Sequence, residues 1–580
     1  MAHRRPHLRF LLVTVGLLTL ALVPSGTTSA APLPNGLTAF CSRVIQKNVG
    51  PFPAKAIGAS SGAQMACFGP QHTGPLSVTG SLATGQKSAF STTTSSSPSG
   101  SSKNVDAASP SEDVTQNGTR AYGQSEESVA AAGPYVVEAW NDATGFFQPC
   151  PDPSGMNKEE LTGLGFSSNG GASFTDLGGL PNDCTTGYFY FGDPTVEAFQ
   201  TGRNTFFYIA SLYINVNTGE SDLELDACQA TGTTLACAMP TRIATGAPGD
   251  FLDKEFMTVD PVNKRLYISY TRFGLTANTS NGQIELAKCD ISPGLELTPA
   301  CNPGTSPTPY FVVSPGDSNC EQEGAYPAVD TAPGATQGDV YVAWEFNWAS
   351  NFSVGACTTQ PVQNRVAHIP FTCLTQPVAS CAGPTETNAV AVTSMDLAFI
   401  PGYNRFPMND FPRIAVSHPY GTVSIVWNDA RHRVLGDIFL ESFTLSGLTP
   451  LQPTAPVPLD SFSKGGAYFL PALRNASASG KLNVTFYQRG DPNTAQTDVY
   501  ANTGVVPTIT SGSSTNTRVT NTTSDWNNVS SDIIPNFGDY TDNYVIATPT
   551  APFTDKTLYV AWADGRLGVP NPFEATLAGS

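Results

Sequence analysis

Val423-Ser424-Ile425-Val426-Trp427-Asn428-Asp429 is a short apolar run that ends on a tryptophan and two polar residues, and the chain repeats it. Tyr135-Val136-Val137-Glu138-Ala139-Trp140-Asn141-Asp142 closes the same way, as does Leu558-Tyr559-Val560-Ala561-Trp562-Ala563-Asp564. Val340-Tyr341-Val342-Ala343-Trp344 keeps the tryptophan, while runs at 206–210, 265–270 and 482–487 keep the strand with other aromatic residues. Runs of this length and composition read as β-strands. Each follows a turn and a shorter apolar strand, at 128–131, 194–198, 256–260, 326–330, 412–416, 469–473 and 544–547. Seven such units spaced by about 50–90 residues predict an all-β fold, a β-propeller of about seven (six to seven) four-stranded blades. The last unit stops after Phe573-Glu574-Ala575-Thr576-Leu577, with room for three strands. An N-terminal strand from residues near 103–120 is expected to supply the fourth and close the ring, which removes a sheet edge. A two-sheet sandwich assembly is the rival architecture.

The rest of the chain divides by composition. Arg4, Arg5 and Arg9 precede an apolar run at 10–23, followed by Thr28-Ser29-Ala30, so residues 1–30 read as a cleaved signal peptide. No later segment approaches the roughly twenty apolar residues of a membrane span. Residues 31–70 form a small N-terminal segment holding Cys41 and Cys67, residues 71–103 a Ser/Thr-rich linker, and 104–580 the propeller. Charged residues make up 13% of the chain and the formal net charge is −18. That balance disfavours nucleic acid and anionic membranes as partners. The expectation is a secreted, extracellular monomer whose partner is a glycan or glycoconjugate.

Twelve cysteines in an exported chain, with no Cys-x-x-Cys pair, point to disulfides rather than a metal cluster. Cys228 and Cys237, Cys289 and Cys301, and Cys373 and Cys381 each flank a short polar turn. In units two, three and four these would join the third and fourth strands. Neighbour pairing would add Cys41–Cys67, Cys150–Cys184 and Cys320–Cys357, although spacing does not fix connectivity.

Ser167-Ser168-Asn169-Gly170-Gly171-Ala172-Ser173-Phe174 resembles the Asp box of sialidase-like secreted propellers, the BNR repeat, with Asn169 in place of its aspartate. Ser167 and Asn169 cap the turn, Gly171 permits positive φ and Phe174 plugs the blade. Gln124-Ser125-Glu126-Glu127-Ser128, Asp253-Lys254-Glu255-Phe256, Trp427-Asn428-Asp429-Ala430-Arg431 and Gly538-Asp539-Tyr540-Thr541 are similar to segments of the same family, over about residues 104–580. Asp boxes also occur in binding propellers without enzymatic activity.

Strand direction predicts which residues share a mouth. Glu126, Glu127, Asp193, Asp253, Glu255, Glu321, Glu323, Asp410, Asp539 and Asp542 precede first strands; Asp142, Arg272, Glu345, Asp429, Arg431, Arg489, Asp564 and Arg566 follow second strands. Glycoside hydrolysis needs one carboxyl to protonate the leaving oxygen and a second group as nucleophile or base. The resemblance implies a tyrosine backed by an acid, with three arginines gripping a substrate carboxylate. Asp539, Tyr540, Glu255 and Glu323 are the catalytic candidates; Arg431, Arg489, Arg566, Asp429 and Asp564 are those for substrate binding. The bland alternative for Asp429 with Arg431, and Asp564 with Arg566, is a salt-bridged turn, since the motif recurs. The recurring tryptophans read as blade packing before a sugar platform. No cofactor is indicated beyond a structural calcium ion, for which Glu321 with Glu323 and Asp539 with Asp542 offer oxygen ligands. Two functions follow: a carbohydrate-active propeller of glycoside hydrolase type or a degenerate relative, and a non-catalytic module binding glycan or protein. An enzyme requires its acids to converge in one deep pocket, whereas a binding module would show a shallow or filled mouth.

Overall fold

In the computed structural model, the described residues are 38, 41, 60–69, 73, 103–109, 121–147, 160–274, 281–317, 320–346, 362–375, 390–393, 400–404, 411–433, 436–451, 456–459, 466–475, 478–491, 493–510, 516–546 and 556–579. They form seven antiparallel sheets, each with a four-stranded path. Blade 1 is Gln124–Ala132, Tyr135–Asp142, Thr162–Ser167 and Thr175–Gly179. Blades 2 to 6 begin with the innermost strands Thr195–Thr201, Phe251–Asp260, Gln322–Val329, Arg413–Ser417 and Ala467–Asn475. Blade 7 contains Asp542–Val545, Thr557–Asp564 and Asn571–Ala578. Its fourth strand is Asn104–Asp106, which pairs Val105 with Glu574. The N-terminal strand therefore closes the ring as the repeat arithmetic requires. Innermost strands touch in cyclic order, blade 1 to blade 7 and back to blade 1, which rules out a sandwich.

The blades hold together because the second strand puts its largest side chain at a constant place. Trp140, Trp344, Trp427 and Trp562 are all fully buried. Aromatic side chains each remove 150–250 Å² from water, so burial contributes about 4–6 kcal/mol apiece before entropy is counted. The innermost strand of blade 1 is small instead (Val129, Ala130, Ala131, Ala132), as crowding near the axis demands. Gly133 turns it into the second strand at φ 60°, where a side chain would be strained.

Cys228–Cys237 and Cys289–Cys301 are disulfides across the third and fourth strands of blades 2 and 3. Cys41–Cys67 is also formed, within the N-terminal segment. Cys184, Cys320 and Cys373 are disulfide-bonded, and their expected partners Cys150, Cys357 and Cys381 lie outside the described residues. Among the described residues no helix is long and apolar enough to cross a membrane.

The N-terminal segment contributes Ser61–Phe68, an eight-residue helix capped by Ser60, whose Oγ accepts from the Ala63 N–H at 2.9 Å. Its first six residues are buried. Met65 packs on Ala121, Ala143, Leu161 and Ile533, while Ala63 and Ala66 join the core between blades 2 and 3. A segment without a legible fold of its own thus takes its structure from the propeller surface.

Candidate functional site

Four innermost strands carry a one-residue bulge opposite the blade's large buried side chain: between Ser125 and Ser128, Asp253 and Phe256, Glu323 and Tyr326, and Phe469 and Ala472. Each bulge contains one left-handed residue: Glu126 (φ 60°), Lys254 (54°), Gly324 (68°) and Leu470 (48°). Glycine takes that conformation freely, whereas an L-residue is strained by roughly 1–2 kcal/mol. Blades 1 and 3 therefore accept strain to aim a carboxylate and an ammonium at the mouth. Asp193 of blade 2 is left-handed too, at φ 57°.

These groups meet. Lys254 Nζ lies 2.8 Å from Asp539, 2.9 Å from Asp193 and 3.3 Å from Glu126, with its side chain wholly buried. Burial works against the ammonium, but Asp193, Asp539, Glu126 and Asp253 outweigh it, and the lysine is held well above its ordinary pKa. Burial, then the charge of Asp193, pushes Glu126 well above the carboxylate range. Asp253 is pushed up to about 7 by burial and then by Asp193. The N–H of Asp539 donates to Glu126 at 3.1 Å and that of Lys254 to Asp253 at 3.0 Å.

Glu255 and Glu323 border the same cluster. Both are buried, and among the described residues neither carboxyl has a hydrogen-bond partner on another residue. Burial pushes both well above the usual range, reinforced by Asp193 for Glu255 and by Asp253 for Glu323. Tyr540 lies beneath, with Lys254 Nζ 5.5 Å from its ring centroid and its hydroxyl donating to Pro194 O at 2.9 Å. Burial, then Glu126 and Asp193, raises that phenol well above its ordinary pKa. Tyr540 packs edge-on against Phe256, which in turn meets Tyr326, and the Arg413 guanidinium stands 4.5 Å from the Tyr326 ring centre and donates to Thr541 O. Asp539, Tyr540, Glu255 and Glu323 are thus brought together around one lysine.

The helix cap closes this mouth. Ser61 Oγ donates to Glu126 at 2.7 Å and the Gly62 N–H to Asp193 at 3.3 Å, while the nearby Ser60 side chain offsets a part of the upward shift of Asp253.

The substrate-binding candidates lie elsewhere. Asp429 Oδ2 accepts from Trp427 Nε1 at 2.9 Å and from Arg431 Nη2 at 2.6 Å. Asp564 accepts from Trp562 Nε1 at 2.7 Å and from Arg566 Nη2 at 2.6 Å. Each pair caps the exit of a second strand. Arg489 is buried in blade 6, donating through Nε to Thr497 Oγ1 at 2.9 Å, and desolvation lowers it to about 9. The partners described for the three arginines have no residue in common, so the described contacts do not bring them together.

The Ser167–Phe174 turn joins the third and fourth strands of blade 1, on the face away from the mouth. Ser167 Oγ accepts from Gly171 N–H at 3.0 Å, and Asn169 Oδ1 from Ser173 N–H at 3.0 Å. Gly171 has φ 80°, and a Cβ there would meet Glu574 Oε2 at 2.6 Å. Phe174 packs on Trp140, Ala107 and Ala108. Among the described residues no three His, Cys, Asp or Glu side chains are arranged to hold a metal ion.

Reading the sequence for acids found the ring but missed its centre, Lys254, and its cover, Ser60 to Gly62. The usable signal was a lone cation flanked by acids in Asp253-Lys254-Glu255.

No family model and no curated protein matches the chain. Among solved structures it is similar to an α-L-arabinanase of Penicillium chrysogenum, at 11% identity over 83% of this chain and 99% of that one, TM-score 0.41. It is also similar to the Trypanosoma rangeli sialidase (10% identity, 68% of this chain, 58% of that one, TM-score 0.36). An N-acetylgalactosamine deacetylase from F. plautii matches at 12% identity over 57% of this chain and 91% of that one, TM-score 0.32. No residue role is transferred from these likenesses.

Proposed function

We propose that this chain is a secreted, carbohydrate-active propeller of sialidase-like architecture and glycoside hydrolase type, with its reaction centre in the acidic mouth. The observation that carries this reading is the convergence of Glu126, Asp193, Asp253 and Asp539 on Lys254, with Glu255, Glu323 and Tyr540 against them. Burial raises the pKa values of Asp253, Glu255 and Glu323, which favours the protonated form that a general acid acting on a glycosidic oxygen needs. Asp539, paired with Lys254 at 2.8 Å, and Tyr540 supply the second role, as base or nucleophile. The signal-like N-terminus and the disulfides support export.

A second reading, a non-catalytic extracellular module binding glycan or protein, is favoured by the helix over the mouth and by the arginines engaged in turns. Sugar release from sialylated, uronic and neutral glycans, measured beside an Asp539→Asn, Tyr540→Phe double variant, separates the two. Turnover lost in the variant supports the mouth as the centre; turnover retained moves it elsewhere. Binding without turnover on every glycan establishes the module instead.

A further inference from the structure

The mouth is already occupied by groups that resemble a sugar's donors. A serine hydroxyl and an N–H, from two consecutive residues, donate to acids on two blades, Glu126 and Asp193, with the Ser60 side chain set toward Asp253 of a third. The fit is close. A Cβ on Gly62 would stand 2.1 Å from Phe191 O and 2.6 Å from Leu212 Cδ1, so glycine alone lets the turn reach this depth. The helix N-terminus adds partial positive charge toward the carboxylates. Among the described residues no disulfide joins this segment to the ring, because Cys41–Cys67 closes inside it. It is held by the packing of Met65, Ala63 and Ala66 and, further along, by Thr73, bonded to Ser531 N–H to O at 2.7 and 3.0 Å and accepting from Asn404 Nδ2 at 2.8 Å.

We infer that Ser60-Ser61-Gly62 is an internal stand-in for ligand, and that the mouth it covers recognises hydroxyl- and ammonium-bearing sugars, neutral or amino, rather than carboxylated ones. This rests on the mouth being the carbohydrate site proposed above. The ring has acceptors to spare: among the described residues the carboxyls of Glu255 and Glu323 have no partner on another residue. Its single ammonium already contacts three carboxylates and the Arg413 guanidinium, 5.6 Å from the Tyr540 ring centre, donates to Thr541 O, so a sialic or uronic carboxylate entering beside Glu126, Asp193 and Asp253 would meet acids first. Departure of the helix leaves Glu126 and Asp193 without these donors, a demand that sugar hydroxyls or an ammonium satisfy.

The test uses the full mature chain with a protease site placed within Ser91–Ser97, and separately a Gly62→Val variant of the uncut chain. The probes are a glucosamine oligosaccharide, a neutral arabino-oligosaccharide and an oligogalacturonate, with affinity read by calorimetry. The expected result is at least tenfold tighter binding of glucosamine or neutral oligomer after cleavage or in Gly62→Val, competed by a peptide spanning residues 58–69, with no gain for the galacturonate. Unchanged affinity in both proteins would overturn the inference, as would collapse of the propeller melt on cleavage, which would make the helix a keystone of the fold. Tighter binding without turnover leaves the inference standing and removes the hydrolase reading. Turnover indifferent to both changes does the reverse.

Discussion

Two sets of buried aspartates and glutamates live in this ring under opposite conditions. At the strand-two exits of blades 5 and 7, Asp429 and Asp564 have every need met by an indole, an arginine and a turn N–H. At the mouth, Glu255 and Glu323 are as deeply buried with both carboxyl oxygens unpartnered, beside left-handed residues. Satisfied acids recur at the strand exits and build the blade, whereas the unpartnered acids of the mouth lower stability there, as at a site kept for chemistry; Glu138 of blade 1 and Glu574 of blade 7 form a second buried pair of this unpartnered kind.

The comparison breaks most sharply at Lys254. Lys254→Met strands Glu126, Asp193 and Asp539, and is expected to cost about 3–5 kcal/mol in urea unfolding. Next, Asp564→Ala removes the acceptor for Trp562, Arg566 and Ser524, at an expected cost of about 1–3 kcal/mol by the same measurement. A pH series sharpens the contrast. Asp253, raised to about 7 against an unfolded value near 3.9, holds its proton more tightly when folded. Its stabilising contribution is therefore full below about pH 4 and lost as pH climbs toward 7. Asp253→Asn should flatten the melting temperature across that window while leaving Lys254's ion pairs in place. The smallest effect is expected for Arg431→Ala, below about 1 kcal/mol, since that side chain is 24% exposed.

Much of this was legible in the sequence, for physical reasons. A large aromatic residue on the second strand, tryptophan in four of the seven, is a packing requirement repeated by the fold, so its periodicity reveals blades and counts them. Strand direction alone places Asp539, Glu255 and Glu323 at one mouth. Burial is not periodic, however. Nothing in Gln488-Arg489-Gly490 separates a buried guanidinium from a solvated one, and the recurrence of Asp429–Arg431 and Asp564–Arg566 is the trace of a cap. The helix at Ser61–Phe68 was hidden because SGAQMACF is buried against a surface assembled from distant strands, and its own pattern is nearly featureless. Lys254 escaped notice because acids were weighed as catalysts and not as charges that need a counter-ion.

The most direct measurement is the melting temperature near neutral pH of Glu323→Gln beside Asp564→Asn. If the mouth acids are kept at the expense of stability, Glu323→Gln melts higher than the parent protein while Asp564→Asn melts lower. A Glu323→Gln protein that melts as low as Asp564→Asn would contradict the account, making the mouth one more piece of scaffold.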